Sequence, residues 1–334
     1  MAKKKAAFKP PHPKWDLYKD GVSQSLLAKF INCRERFRLY AVEGLRPTDR
    51  KEAMEFGTIF HKALEYHAQK MTTSQINTKL MKWAKDNPKV DKALCRIATA
   101  ILPHYIDEWK EEKLEYVASE EIFDVPYIAS NGKTVRLRGR RDEMFVRNGL
   151  LWLQENKTKT NIDEDKIMAC LPEDLQTMLY VYTAGIDYHP RKMGGVLYNV
   201  IRKPSLKQGA KETESQFLKR ISDDCADRRD HYFKRYDVEL TQNDIDSFMD
   251  QILDPHITAL VEWWESVKHN PFDPWRLQDG ERNPHHWRRP FGIFDPMTFG
   301  KGDYFELIVS GSHLGLETVE TAFPELANEE QGVN

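Results

Sequence analysis

Two acids and an amine with the spacing of a cation site stand in residues 136–157, RLRGRRDEMFVRNGLLWLQENK. Asn148-Gly149 is a strong signal for a two-residue type I′ turn, which needs positive φ at both central positions. Pairing outward from that turn sets Arg147 opposite Leu150, Phe145 opposite Trp152 and Glu143 opposite Gln154. The next pair is Asp142 opposite Glu155. Directly opposed residues have Cβ atoms about 4.5–5.5 Å apart, where like charges repel. Because side chains alternate faces, the two carboxylates share a face with Met144, Leu153, Val146 and Leu151. Two carboxylates over an apolar face are costly unless a cation joins them or one takes a proton. A hard divalent ion with oxygen ligands, Mg²⁺ or Mn²⁺, suits that arrangement. Lys157, two residues past Glu155, falls on the same face and can reach the same ion, a water or a phosphate.

An Asp followed by Glu-x-Lys on the neighbouring strand, here Gly139-Arg-Arg-Asp142 and Glu155-Asn-Lys157-Thr158, resembles the PD-(D/E)XK nuclease superfamily, and its local form resembles the RecB-like and phage exonuclease branch. Further elements follow in the matching order. The stretch 22–40, with Ser23 or Ser25 as helix cap, Leu26, Leu27, Phe30 and Ile31 as apolar positions and Arg34, Arg36 and Arg38 behind, resembles the opening helix of that branch. By pattern alone it is equally an amphipathic helix with a solvated basic face. In 55–67, Phe56, Phe60, Ala63 and Leu64 form a helical apolar face, while Gly57 and His61, four apart, stack on another. On spacing alone a helical histidine is most often structural. The Gly-x-x-x-His-x-x-x-Glu resemblance implies that His61 binds metal, with Glu65 a weaker candidate. Glu120 and Phe123 match a Glu-x-x-Phe preceding the hairpin, so Glu120 is a supporting acid or a surface carboxylate. Gln176 and Tyr180 match a Gln-x-x-x-Tyr helix that contacts DNA or the site water.

These residues need positioning elements. The periodicity predicts helices within 74–118 with Pro103 kinking or dividing the run, a strand starting near Glu120, a turn at Asn131-Gly132, and a strand from Val135 into the hairpin. A helix spans 172–185, with Pro, Glu and Asp at its start and Gly185 at its end. Gly194 to Arg202 is a buried strand, 205–235 a charged helix, and helices follow from Thr241 and over about 256–268. The fold class expected is α/β: a central mixed sheet flanked by helices, a restriction-endonuclease-like or lambda-exonuclease-like core, with helical additions at both ends. The division expected is a basic flexible arm over 1–20, one nuclease domain over 21–310 (metal-site core about 50–205, helical extension about 205–270) and a tail over 311–334.

Composition narrows the setting. Of 334 residues, 40% are hydrophobic and 31% charged, ordinary for a globular protein, and the net charge of −2 excludes a polycation. Nucleic-acid binding then needs local basic patches. No apolar run approaches a membrane span and none follows Lys3–Lys5 as in a secretory signal, so the expected location is the cytoplasm of a bacterial cell or phage-infected host. The four cysteines are scattered, which argues for incidental thiols. Relatives in the resembled branch carry C-terminal cysteines for an iron–sulfur cluster. Here none follows Cys225, so no cluster is expected; Trp287, Phe291 and Phe294 are expected to pack instead, with His285 and His286 weak metal candidates.

The resemblance implies phosphodiester hydrolysis in DNA with little sequence specificity. Asp142, Glu155 and Lys157 are the implied catalytic residues, and His61, Asp142, Glu155 and the Asn156 carbonyl the implied ligands of Mg²⁺ or Mn²⁺. Gln176, Tyr180, Arg140, Lys159 and Glu120 are expected as DNA-contacting or supporting residues, with Arg136 and Arg138 also near phosphates. The expected activity is an exonuclease of recombination or repair, standing alone without a helicase motor. A structure-dependent endonuclease on the same fold, and a non-catalytic DNA-binding or assembly protein with a decayed site, are the alternatives. DNA is the expected partner, with room for a recombination or single-strand-binding partner and for an oligomer, and no membrane.

Overall fold

The computed structural model describes residues 13–47, 52–88, 90–112, 114–160, 162–269 and 316–323. In chain order the elements are α1 (Leu17–Asp20), α2 (Gln24–Asn32), α3 (Arg34–Phe37), β1 (Leu45–Pro47), α4 (Glu52–Ala68), α5 (Thr73–Asp86) and α6 (Lys92–Glu108). Then come β2 (Glu115–Ile128), β3 (Thr134–Arg147), β4 (Leu150–Lys159), α7 (Glu164–Cys170), α8 (Leu175–Asp187) and β5 (Met193–Arg202). The chain ends in α9 (Glu214–Asp227), α10 (Arg229–Tyr232), β6 (Phe233–Glu239), α11 (Gln242–Phe248), α12 (Asp254–Val267) and β7 (Leu316–Thr318). A five-stranded sheet has the order β2-β3-β4-β5-β6, and β1 pairs with β7. The β3–β4 and β5–β6 pairs are antiparallel and the β4–β5 pair is parallel, so the sheet is mixed as expected. A parallel pair needs a crossover, and α7 and α8 supply it.

The β3–β4 hairpin forms where the turn chemistry puts it. Asn148 and Gly149 have φ of 54° and 76°, as type I′ requires. The register runs from Arg147↔Leu150 to Glu143↔Gln154. On β4, alternation sends Glu155 and Lys157 to the face covered by α8 and Asn156 to the opposite one. Gln176 of α8 bonds Glu155, while Asn199 links Asn156 to Tyr105 of α6. Helices therefore lie on both faces of the sheet.

By contacts the chain divides into two compact units. One comprises 1–49, 124–139 and 247–334, the other 50–123 and 140–246. In the first, Trp15, Phe30, Phe37, Trp263 and Trp264 interlock edge to face, with centroids 5.0–5.7 Å apart. Arg38, fully buried, is held by Glu35 and Glu43. In the second, Phe56, Phe60, Leu80, Ile101, Tyr105, Ile221 and Phe233 belong to one apolar cluster. Helix starts are capped from the sequence: Thr72 and Thr213 form capping boxes with Gln75 and Gln216, and Asp174 accepts from the Thr177 N–H.

Several expectations are corrected. The arm over 1–20 is ordered from residue 13 onward, because Trp15 and Leu17 are core residues; residues 1–12 lie outside the described residues. Arg34 to Val42 continues as a short α-helix and a π-turn, and Ile31 is 41% exposed rather than apolar-facing. Pro103 does not divide α6; it sits on the exposed side, where water can satisfy the carbonyl it leaves unbonded. Gly185 is inside α8, which starts after Asp174 and runs to Asp187, and Pro172 belongs to a preceding 3₁₀ turn. The charged stretch 205–235 holds two helices and then enters β6, a strand whose Lys234-Arg235 start disguised it as helix. The residues expected to pack near the C-terminus, Trp287, Phe291 and Phe294, and His285 with His286, lie outside the described residues.

Gly57 shows how closely α4 approaches the hairpin. A Cβ there would stand 2.8 Å from Thr158 Oγ1 on β4. Overpacking costs about 1–3 kcal/mol, against a helix-propensity gain of about 1 kcal/mol for Gly→Ala. Gly57→Ala should therefore destabilise the parent but stabilise a Thr158→Ala background, read from urea unfolding midpoints of the four proteins. An equal gain in both backgrounds would refute the contact.

Candidate metal and catalytic site

The hairpin, α4 and α8 bring their chemistry to one cavity of about 610 Å³, entirely within the second unit. His61, Glu120, Arg140, Asp142, Glu155, Asn156, Lys157 and Gln176 all line it. Asp142 and Glu155 are 9% and 0% exposed. His61 Nδ1 lies 3.6 Å from Asp142 Oδ1, and the other Asp142 oxygen accepts the Asn156 N–H at 2.7 Å. Glu155 Oε1 accepts from Lys157 Nζ and, at 2.7 Å, from Gln176 Nε2; Lys157 also donates to Gln176 Oε1 at 2.8 Å. Gln176 thus clamps the acid and the amine together. Glu155 Oε2 is buried with no hydrogen-bond partner.

Glu120 joins the group from β2. One ligand atom from each of His61, Glu120 and Asp142 lies within 4.8 Å of the others. Its φ of 52° is left-handed, a strained state for glutamate that a strand would not adopt without tertiary support. Arg140 is 3.5 Å from its carboxylate.

The electrostatics show that burial weighs against ionising the acids together. Burial, then repulsion from Asp142, pushes the Glu120 carboxyl up to about 7. Glu155 is likewise raised to about 7 by burial, which outweighs the opposing pull of Lys157. Asp142 alone is held below the usual range: burial opposes its ionisation, but His61, Lys157 and the Asn156 N–H outweigh it. His61 rises to about 9, since Asp142 overcomes the burial penalty on the imidazolium. Lys157 is also raised, with Glu155 and Asp142 outweighing burial. Clustered buried carboxylates, an orphaned buried carboxylate oxygen and a neighbouring imidazole fit the donor set of a hard divalent ion.

Asn156 has a divided role. Its side chain faces away, donating to Glu143 Oε2 (2.7 Å) and accepting from Gln154 and Asn199 (3.1 and 2.6 Å). Only its backbone is left for the cavity. Other expected residues lie off the cavity wall. Tyr180 packs edge-on against Phe123 at 5.4 Å, while its hydroxyl bonds Gln176 and feels the charges of Glu155 and Asp142. Lys159 lines a second cavity. Arg136 and Arg138 pair with Asp124 in the first unit. Sequence reasoning missed Lys62 and Trp83, which line the cavity wall. Lys62 adjoins His61, but nothing local in 73–86 marks Trp83. Glu143 was visible only as the neighbour of Asp142.

The family profile described as the PD-(D/E)XK nuclease superfamily matches residues 21–266. No curated protein matches significantly. Among solved structures, a candidate exonuclease from Eubacterium rectale is 14% identical, with 84% of this chain and 93% of that one covered at a TM-score of 0.43. The protein SSO0001 is 12% identical, with 60% and 85% covered at a TM-score of 0.27.

Metal uptake should expel protons, because burial and neighbouring charge raise the Glu120 and Glu155 carboxyls to about 7 and Asp142 raises the His61 imidazole to about 9. A ligand must be deprotonated to bind. Calorimetry with Mn²⁺ at pH 7, in buffers of different ionisation enthalpy, should show release of about one to two protons per site. The release should fade by pH 10, above all three values, and affinity should fall as pH drops below 7. Binding without proton release would contradict the ligand set.

Proposed function

The chain belongs to the PD-(D/E)XK nuclease superfamily, and from that premise we propose that it is a divalent-metal-dependent DNA exonuclease of the RecB-like kind, serving recombination or repair in a phage or bacterial setting. The observation that carries the reading is the Glu155–Lys157–Gln176 clamp beside Asp142, with one Glu155 oxygen buried and unpartnered. Asp142, Glu155 and the Asn156 carbonyl, with His61 and Glu120, are the groups that would hold Mg²⁺ or Mn²⁺. Such an ion, when bound, supplies charge to the scissile phosphate and lowers the pKa of water.

The chain's own groups have separable tasks. Lys157 is kept cationic by Glu155 and Asp142 and oriented by Gln176. This favours stabilising negative charge on the phosphoryl oxygens over taking a proton from water. Arg140, beside Glu120 at the cavity wall, and Lys62 contribute backbone-phosphate contacts, which position a strand without reading its sequence. Trp83 offers an aromatic surface for an unstacked base, a sequence-tolerant contact.

End-labelled linear DNA with Mg²⁺ should be degraded while circular single-stranded DNA survives, and a chelator should stop the reaction. Cleavage of the circle would favour the endonuclease reading. Lys157→Ala should lower the rate by on the order of 10²–10³, as loss of a preorganised charge donor does elsewhere, with its fold preserved by circular dichroism. A variant as active as the parent would remove Lys157 from the mechanism.

A further inference from the structure

Beyond the metal cavity, the second unit has another cavity of about 330 Å³ between β4, β5 and α7 that no catalytic role accounts for. We propose that it binds one nucleoside monophosphate unit of the strand, next to the scissile phosphate. The inference rests on the nuclease reading above, and extends it to where the flanking nucleotide sits.

The position follows from strand geometry. Lys159 is two residues beyond Lys157 on the same face of β4, about 6.6 Å further along the strand. Tyr198, which lines this cavity, is the β5 partner of Glu155, which lines the first. The two cavities are therefore neighbours on one sheet face. The second begins where the catalytic lysine leaves off.

The lining has the two-part character that a nucleotide needs. Ile167, Leu171 and the Tyr198 ring, each under 9% exposed, make an apolar floor. Lys159 and Lys166 stand at its edge, and neither makes an ion pair among the described residues. Lys159 Nζ is 5.8 Å from the Tyr198 ring centre, the outer limit of a cation–π contact, so the ring does not hold it. Two acids also line the space, but both are engaged at helix starts. Asp163 accepts the Lys166 N–H at 3.2 Å and Asp174 the Thr177 N–H at 2.8 Å, where the helix N-terminus offsets their charge. An apolar floor with a cationic edge, in a volume at the lower end of ligand sites, suits one base and sugar with its phosphate.

The cavity carries its own reporter. Cys170 lines it and is exposed, whereas Cys33, Cys95 and Cys225 are buried. Alkylation of Cys170 by iodoacetamide, followed by mass spectrometry, reads occupancy without reference to cleavage. A short oligo(dT), added with Ca²⁺ in place of Mg²⁺, and millimolar 5′-dTMP should each slow alkylation at least about fivefold. Inorganic phosphate alone should not, since it leaves the apolar floor uncovered. Lys166→Glu should lose the protection and raise KM for DNA several-fold at little changed kcat, with an unchanged melting temperature. Protection by the oligonucleotide but not by dTMP still places the strand there, and separates the strand from released product as the occupant. A parent that cleaves DNA while its Cys170 reacts equally fast with and without both nucleotides would overturn the proposal and leave the nuclease reading standing. A parent that cleaves nothing, even with its Cys170 protected by dTMP, would overturn the nuclease reading and with it the assignment of a strand nucleotide to this cavity.

Discussion

Buried like charge is the constraint that organises the second unit. Asp142 and Glu155 face one side of the β3–β4 pair while Glu143 faces the other, all three nearly inaccessible. Each isolated carboxylate would be prohibitively expensive there. The surroundings answer in two ways. Two elements bring positive charge and a donor to Asp142: α4 brings His61, and β4 brings the Asn156 N–H and the charge of the Lys157 ammonium. The remaining acids shift towards protonation, Glu120, Glu143 and Glu155 each rising to about 7. Asp142 is thereby the acid among these held most firmly ionised, and the others form a reserve of negative charge that a cation could call up. Such a site holds little charge without its ion and much with it.

The face behind the site explains why the hairpin can hold this arrangement. Glu143 accepts from Gln154 and Asn156, Asn199 reaches from β5 to both Asn156 and Tyr105, and Tyr116 donates to Gln154. Arg235 of β6 donates to Asn199 and Tyr105 and lies 4.4 Å over the Trp109 ring. All five strands of the sheet and α6 are tied by one buried polar network. Such a network is stable only when its members are satisfied together, which penalises a slipped register. A one-residue slip would also turn Glu155 and Lys157 to the wrong face. The spacing of Asp142, Glu155 and Lys157 is thus set by sheet register rather than by a loop.

What was legible in the sequence follows from the range of the forces involved. The hairpin was readable because Asn148-Gly149 specifies a turn and period-two alternation carries its consequences outward to Asp142 and Glu155. His61 was readable as a helix position, and its approach to Asp142 became legible only through a family resemblance, since no local rule brings α4 to β3. The elements misread were those in which tertiary context overrides local signal. Pro103 is tolerated because its exposed side needs no partner, and Gly185 continues a helix whose neighbours are packed. β6 is a strand because β5 offers it an edge, not because its charged sequence prefers one. Trp83 and the Ile167–Tyr198 cavity involve residues far apart in the chain, with no spacing rule to connect them.

The protonation state of Lys157 was the least accessible feature from sequence, and it bears most directly on mechanism. A lysine near a metal is expected to lose affinity for its proton, yet Glu155 and Asp142 raise it here. A divalent ion held by Asp142 and Glu155 would offset the charges that keep Lys157 protonated, and the amine would then hold its proton less strongly. Gln176 remains as a neutral anchor through that change, since its amide bonds both Glu155 and Lys157 and carries no charge to lose. The clamp would therefore keep the amine in place whatever charge surrounds it, because a neutral amide and not the acids alone sets its position.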